Sequence, residues 1–277
     1  MRLVESYYWY RLEQVKLSNE AAREPSVIPV LSHRFILSFK AEDNYKVAKN
    51  SFHGFPADLV KFLSELRRHN KRSWFEANRE RYEESVRSPA LEFIASMAAP
   101  LARISPHFNA IAKKAGGSLM RIHRDVRFSK DKKPYKTNLG IHFRHVAGKD
   151  VHAPGFYFHV DPHEVFLGAG IWHPDSESLG NIREAIDEDS SAWKRAKNNK
   201  TFRAQFDLAG ESLKRPPRGY ESDHPLLEDL KRKDHIAVCQ WAHDDLLQPT
   251  IVQDVIATFR AAKHYMAFLC KAVGVKF

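Results

Sequence analysis

The chain has 277 residues, of which 43% are hydrophobic and 28% are charged, and its formal net charge is +10. This composition excludes a fully disordered chain and is typical of one or two globular domains. The sequence has no run of about 18 uncharged apolar residues, so we predict no membrane-spanning helix and no membrane partner. Residues 1–10 lack the apolar core of a secretory signal, and we therefore expect a cytoplasmic protein.

The two cysteines, Cys239 and Cys270, are too few for a disulfide framework. They also lack the paired spacing of a zinc or redox motif, so we expect buried thiols. The excess of positive charge favours an anionic partner such as nucleic acid, a phosphate or an acidic surface. Charge alone does not choose among these partners.

In residues 1–50 the apolar residues show no sustained helical or alternating spacing, although residues 7–10 are an aromatic cluster in the sequence. We expect this segment to be an N-terminal extension that is weakly or partly ordered. Residues 51–277 are predicted to form a single domain.

Three helices are predicted at the start of this domain. The first begins near Pro56, and its apolar residues recur at helical spacing, namely Leu59, Phe62, Leu63 and Leu66. Ser73 and Glu76 have the spacing of a capping box that begins the second helix. Ser88-Pro89 opens the third, which we expect to end at Ser105-Pro106.

After Gly116-Gly117 the apolar residues alternate, which predicts strands around residues 119–122, 139–143, 156–160, 165–171 and 236–241. Residues 161–164 are predicted to be the turn of a hairpin. Helices are expected at residues 176–187, 192–197 and 226–231, and a long final helix starts at Pro249. The fold class is therefore α+β, with a mainly antiparallel sheet flanked by N-terminal and C-terminal helices.

The most informative segment is residues 121–137, which we call the basic loop. From Arg121 to Lys149 the sequence has nine Lys or Arg and two Asp, so most of the positive excess lies here. If Ile122 points inward on a strand, then Arg121, Asp125 and Arg127 share the opposite face. A surface ladder of ion pairs has the same pattern, but Pro134-Tyr135 adds a rigid backbone and a ring that solubility does not require.

Several short motifs are distinctive when they are taken together. Within the basic loop they are Arg121-Ile122, Arg124-Asp125, Arg127-Phe128-Ser129, Asp131-Lys132 and Pro134-Tyr135-Lys136-Thr137. Outside it they are Trp74-Phe75, Gly168-Ala169-Gly170 with Trp172 and Pro174, residues 179–183 and residues 215–220. The set resembles the uncharacterised bacterial and fungal family catalogued as domain of unknown function 2461, from about Phe55 to Trp241 or beyond. The resemblance implies no activity and leaves residues 1–50 outside the family.

Other functional motifs have weaker support. His123-Arg124-Asp125 matches a protein-kinase triplet, but Lys130 stands where a kinase needs Asn. Three His-x-Asp pairs occur, of which His159 and Asp161 are the best, with His163, His173 or His224 as a possible third ligand. No ligand spacing is firm, and no metal site is predicted. The small residues 168–170 are expected to let a ligand or the 215–220 loop lie against the sheet.

We predict that the basic loop binds a phosphorylated or carboxylated small molecule, because arginine forks and lysines suit such anions. Asp125 is the candidate acid or base if an enzymatic step follows binding, and Tyr135 is expected to stack on the ligand. The predicted ligand-binding residues are Arg121, Arg124, Arg127, Lys133, Tyr135, Lys136, Arg183 and Arg218. No cofactor is predicted.

Two alternatives remain open. In the first, the protein is a nucleic-acid-binding module whose basic loop follows a phosphate backbone while Tyr135, Phe156 or Tyr157 stacks on bases. In the second, the protein is a protein-binding scaffold. The sequence gives neither the identity of the ligand nor the oligomeric state.

Overall fold

In the computed structural model of the protein, the described residues are 52–148 and 153–277. The predicted N-terminal extension, residues 1–50, lies outside them. The helices and strands below all belong to one unit, Phe52–Phe277.

The N-terminal part of this unit is helical, as predicted. Its helices are α1 (Asp58–Arg68), α2 (Arg72–Ala77), α3 (Arg79–Tyr82), a π-helix (Glu83–Arg87) and α4 (Ser88–Ala102). The apolar stripe predicted for α1 is fully buried, which explains why this short helix is stable.

Two details of the helix boundaries differ from the prediction. The capping box is wrong, because α2 begins at Arg72 and Ser73 therefore lies inside the first turn instead of at the cap. The Glu76 carboxylate instead accepts three hydrogen bonds from the Arg79 guanidinium. Pro89 does not start a separate helix after a break, since the π-helix joins α3 directly to α4. The helix ends at Ala102, three residues before the expected boundary.

The sheet has five strands, which are β1 (Leu139–Arg144), β2 (Gly155–Val160), β3 (Val165–Ile171), β4 (Asp207–Ala209) and β5 (His235–Trp241). Their order is β1-β2-β3-β5-β4, and every neighbouring pair is antiparallel. The prediction of an α+β fold with an antiparallel sheet is confirmed. Strand β4 was not predicted, because three residues are too few for an alternating pattern.

The strand predicted at residues 119–122 is wrong. Only isolated bridges form here, between Leu119 and Ile141 and between His123 and Tyr135. Backbone bonds link Met120 to Gly140 and His142 to Ser118, so the segment borders β1 without extending as a strand. The residues that follow are mostly charged, so a longer strand here would have no further apolar side chains to pack on the core.

The two faces of the sheet differ in chemistry. On one face, Phe158 packs against Phe93 of α4, and Phe143 and Phe156 pack against Phe259 of a C-terminal helix. The opposite face, which we call the polar face, carries the side chains of His142, Arg144, Tyr157 and His159. Side chains on a strand alternate between the two faces of the sheet, so these four residues share one face. In the register, His142 pairs with Tyr157, Gly140 pairs with His159, and Gly155 pairs with Arg144.

The remaining elements are α5 (Ser176–Glu188), α6 (Ser190–Lys197), α7 (Lys200–Arg203), α8 (Leu227–Leu230), a 3-10 helix (His243–Leu247), α9 (Ile251–Ala261) and α10 (Lys263–Ala272). The long final helix of the prediction is interrupted at Ala262, where ψ is 1°. Both cysteines are buried, as expected. Within residues 52–148 and 153–277, no helix is both long and apolar enough to cross a membrane.

Candidate functional site

The basic loop is closed at its base by a short backbone clamp. The N–H of Arg124 donates to the carbonyl of Pro134 at 2.8 Å, and the N–H of Lys136 donates to the carbonyl of Ile122 at 2.7 Å. Residues 122–124 and 134–136 therefore run side by side, and residues 125–133 form the tip of the loop. This arrangement fixes where the tip starts and ends.

Tyr135 anchors the clamp in the core. Its ring is buried and stacks on Phe75, with 4.1 Å between the ring centroids. The side-chain amide of Asn70 accepts from the Tyr135 N–H at 3.0 Å and donates to its carbonyl at 2.9 Å. The expectation that this ring stacks on a ligand is therefore corrected, because Phe75 already covers it. Burial also raises the pKa of Tyr135.

Two of the predicted arginines are paired within the loop. Arg124 donates to Asp131 at 2.8 Å and to the carbonyl of Lys133 at 3.2 Å, and its side chain is only 12% exposed. Arg127 makes a two-bond pair with Asp125, at 3.0 and 2.7 Å, while 65% of its side chain is exposed. The first pair braces the loop, and the second holds a guanidinium in place at the surface.

The candidate catalytic residue, Asp125, is strongly ionised. Side-chain and backbone hydrogen bonds from Arg127 lower its pKa to about 2, and the charge of Arg121 adds a smaller effect in the same direction. A carboxylate with this pKa has no proton to donate near pH 7 and is a weak base. Asp125 is therefore suited to orient Arg127, and the structure does not favour it as the acid of a reaction.

Several cations of the loop form no salt bridge within the described part of the chain. Arg121, Lys130 and Lys133 are exposed and form no ion pair there. Lys132 donates to the carbonyl of Val126 at 3.0 Å. Lys136 is half-buried beside the clamp. Since both aspartates of the loop are already paired, the positive charge at its surface is not neutralised from within.

Sequence reasoning missed the aromatic residue that the loop does expose. Phe128 is 72% exposed at the tip, with the Arg127 guanidinium 5.8 Å from its ring centroid. Phe156 and Tyr157, which were suggested for base stacking, are both buried. The sequence signal was available, because Phe128 stands between charged residues where no apolar pattern continues.

The polar face lies next to the loop along the chain, since residues 118–120 border β1 and residue 121 begins the loop. The Arg144 guanidinium donates to Nδ1 of His142 at 3.3 Å, and the Tyr157 hydroxyl lies 3.3 Å from Nδ1 of His159. Burial, assisted by Arg144, lowers the pKa of His142 to about 3. The polar face therefore carries a neutral imidazole beside a cation.

Two glycines make room for these polar rings. A Cβ atom at Gly140 would lie 2.5 Å from the Tyr157 hydroxyl, and one at Gly155 would lie 2.3 Å from Nε2 of His142. The rings of Tyr157 and His142 therefore occupy the space that a side chain at Gly140 or Gly155 would take. Sequence reasoning noted only the alternation of these strands, although polar residues at every second position of a buried hairpin were the available signal.

Arg183 is not brought to the basic loop. Its guanidinium donates to the carbonyls of Leu230 at 2.8 Å and Arg232 at 3.3 Å, and burial lowers its pKa. Arg232 in turn donates to Ala209 of β4, at the edge of the sheet opposite β1. Neighbouring strands lie about 4.8 Å apart, so four intervals separate the two edges by roughly 19 Å. The prediction that Arg183 completes a pocket with the loop is corrected.

Arg218 belongs to the same side of the molecule as Arg183. It is exposed in the 215–220 loop, where Gly219 has a φ of +91° and Tyr220 interacts electrostatically with Arg183. The Pro-Pro pair of this loop does prevent helix formation, as expected. The cationic residues of the prediction thus fall into two groups on opposite edges of the sheet.

Gly170 of β3 has a different role from the one expected for the small residues of this strand. Gly170 has a φ of +129°, and a Cβ atom there would lie 2.1 Å from the carbonyl oxygen of His235. The small residue therefore permits close packing against β5, and not against a ligand or the 215–220 loop.

The histidines suggested as metal ligands are dispersed. His173 lies 3.2 Å from Asp234, and His224 lies 3.0 Å from a different carboxylate, that of Asp187. Asp161 accepts the N–H of His163 at the hairpin turn. Among the residues that the structure describes, no group of three or more His, Cys, Asp or Glu is arranged to hold a metal ion.

Comparison with known proteins identifies the family of the chain. No curated protein and no solved structure matches it. The model of a family described as a conserved hypothetical protein (DUF2461) matches residues 58–268, which include the basic loop, the polar face and both arginine groups. Since this match covers well over half of the sequence, the chain belongs to the DUF2461 family.

Proposed function

We propose that the protein binds an anionic small molecule, carrying a phosphate or a carboxylate, at the basic loop. The observation that carries this proposal is a surplus of exposed cations on a braced loop. The side chains of Arg121, Lys130 and Lys133 are exposed and form no salt bridge among the described residues, whereas both aspartates of the loop are already paired with Arg124 and Arg127.

The bracing matters because a flexible loop would lose conformational freedom on binding. The clamp, the Arg124–Asp131 pair and the Asn70 amide hold the backbone before any ligand arrives. Asp125 holds the exposed Arg127 guanidinium in one orientation, which favours a directed contact with an oxyanion. If a reaction follows binding, Asp125 would act as a fixed negative charge and not as the acid.

The test is a thermal-shift titration with inorganic phosphate, nucleotides, phosphosugars and organic acids at two salt concentrations. A ligand that binds only the folded state raises Tm according to its concentration and Kd. The variant Lys130→Gln/Lys133→Gln should remove the shift. Lys113→Gln/Lys114→Gln is the matched control, because these lysines are exposed in another loop and the charge change is the same.

The result that would overturn the proposal is a shift that survives in Lys130→Gln/Lys133→Gln or disappears equally in the control. The first outcome would place the ligand elsewhere, and the second would show only an effect of net charge. No shift with any small anion would favour the scaffold function.

One observation favours nucleic acid as a second candidate. The exposed ring of Phe128 lies among cations, and single-stranded nucleic acid is bound by stacking bases on aromatic rings beside backbone phosphates. Affinity for a short oligonucleotide should then fall steeply with salt and weaken in Phe128→Ala. An affinity that is independent of salt would exclude contact along the phosphate backbone.

A further inference from the structure

A second polar cluster lies inside the C-terminal part of the fold. It consists of Trp193 of α6, His235 of β5 and Tyr265 of α10, and we call it the polar centre. The ring centroids of His235 and Tyr265 lie 5.9 and 5.8 Å from that of Trp193. All three side chains are completely buried. The cluster is independent of the basic loop and of the polar face.

The polar atoms of this cluster have no hydrogen-bond partner among the described residues of the protein. These atoms are the indole nitrogen of Trp193, both ring nitrogens of His235 and the hydroxyl of Tyr265. Buried polar groups are nearly always paired in native proteins, and single exceptions need an explanation. Here four atoms from three neighbouring residues are unpaired, and because the two ring nitrogens of His235 point in nearly opposite directions, no single small molecule can contact both.

The charge state of each group defines what a partner must supply. Burial, with smaller effects from Arg232 and Arg183, lowers the pKa of His235 to about 3, so its ring is neutral. Burial also raises the pKa of Tyr265, so its hydroxyl keeps its proton. The indole only donates, whereas the neutral imidazole and the hydroxyl each donate and accept. The cluster therefore offers three donors and at least two acceptors.

The surroundings are polar enough to support such a site. Lys197 pairs with the buried Asp229 at 2.5 Å and lies 5.9 Å from the Trp193 ring centroid. Arg183 and Arg232 donate to backbone carbonyls around the start of β5. These charges already have partners, so they do not satisfy the three uncharged side chains.

We propose that the polar centre holds internal water, with separate molecules at the two ring nitrogens of His235, because water both donates and accepts hydrogen bonds. An anion would only accept, and would leave the unprotonated nitrogen of His235 unpaired. A metal ion would find a single imidazole and no carboxylate or thiolate in the cluster. Water makes two to four hydrogen bonds when it is buried at polar sites, which matches the groups present.

The first test observes the Trp193 indole proton by NMR in the full-length protein with ¹⁵N-labelled tryptophan. The resonance is assigned by its loss in Trp193→Phe. A cross-peak to water with the sign of a long-lived contact is the expected result. No such cross-peak, or an indole shift that follows chloride or phosphate concentration, would overturn the proposal.

The second test uses the sign of a stability change. Tyr265→Phe keeps the ring that stacks on Phe202 and removes only the hydroxyl. If the hydroxyl binds internal water, Tm should fall by about 2–4 °C, whereas loss of an unpaired buried hydroxyl should raise Tm. Tyr157→Phe is the control, since its hydroxyl contacts His159 and its loss should lower Tm in either case. A rise in Tyr265→Phe would overturn the proposal.

Discussion

The basic loop and the polar centre use polar side chains in opposite ways. In the loop, charged groups at the surface pair within nine residues of sequence, as Asp125 does with Arg127 and Arg124 with Asp131. In the polar centre, uncharged groups from three distant elements meet in the interior without a protein partner. Water screens and solvates the first set, whereas burial makes each unpaired group of the second set costly. The difference explains why the loop tolerates excess charge and the centre holds none.

The comparison also separates anchoring from recognition within the loop itself. Tyr135 and Arg124 face inward and hold the clamp, while Phe128, Lys130 and Lys133 face solvent. Substitutions of the first group should therefore act on stability. Substitutions of the second group should act on binding.

The largest expected effect is the loss of the loop anchor. Tyr135→Ala removes a buried ring from its stack on Phe75 and should lower the free energy of unfolding by about 3–5 kcal/mol. Phe128→Ala is the matched control, since it removes an exposed aromatic ring from the same loop and should change stability by less than about 0.5 kcal/mol. Urea denaturation measures both variants. Equal losses of stability would show that Phe128 is buried in solution. They would contradict the division of the loop into residues that anchor it and residues that bind a ligand.

The second prediction concerns acid pH, at which two histidines that are neutral in the folded protein should destabilise the fold. The pKa of His142 and of His235 lies at about 3 in the folded protein, against about 6.5 unfolded. The unfolded state therefore binds more protons between these values, so stability is present above pH 6.5 and is lost as pH falls. The slope should be roughly 1.4 kcal/mol per pH unit for each histidine.

Variants of His142 and His235 measure how much each histidine contributes to the slope of the unfolding free energy against pH. His235→Gln should reduce the slope between pH 6.5 and 4.5 by roughly half, and His142→Gln should do the same from the polar face. The quantity compared is the slope of the unfolding free energy against pH, since each variant also changes stability at neutral pH. An unchanged slope in both variants would show that neither imidazole stays neutral in the folded protein.

The third prediction distinguishes the two paired arginines. Arg124→Ala should lower stability by about 1–3 kcal/mol, because it leaves the carbonyl of Lys133 without this donor and leaves the half-buried Asp131 with only the Lys133 N–H. Arg127→Ala should leave the urea midpoint unchanged, because its pair with Asp125 is exposed to water. Comparable destabilisation by both would mean that the loop is one structural ladder, and would contradict its role in binding.

Much of the fold follows from local patterns in the sequence. The stripe of α1 and the alternation of β1, β2 and β3 each reflect a single buried face, and a single face produces a clear period. The short β4, the π-helix and the break at Ala262 carry no such period, because packing against other elements determines them. For the same reason the sequence could not show that Gly170 packs against His235 of β5.

The candidate site was only partly predictable. The charge of the loop and the pairing of Asp125 with an arginine follow from residues that are close in sequence. The burial of Tyr135 depends on Phe75 and Asn70, which lie about sixty residues earlier, and the separation of Arg183 depends on the strand order. The three residues of the polar centre come from α6, β5 and α10, so no local sequence motif predicts this cluster.

The smallest expected effect is a change in the titration of one exposed carboxyl group. In the native protein the hydrogen bonds from Arg127 hold the pKa of Asp125 at about 2, below its ordinary value of 3.8. The carboxylate is therefore ionised above about pH 4, and the ion pair is lost as pH falls toward 2. In Arg127→Ala the pKa should rise toward 3.8, as measured by NMR of the carboxyl carbon. If a bound phosphate ligand holds the same guanidinium, the pKa of Asp125 in the native protein should also rise on binding, because the anion competes for Arg127 and adds negative charge nearby. A pKa that responds to the substitution but not to the ligand would leave the ion pair in place and move the binding site to the lysines of the tip.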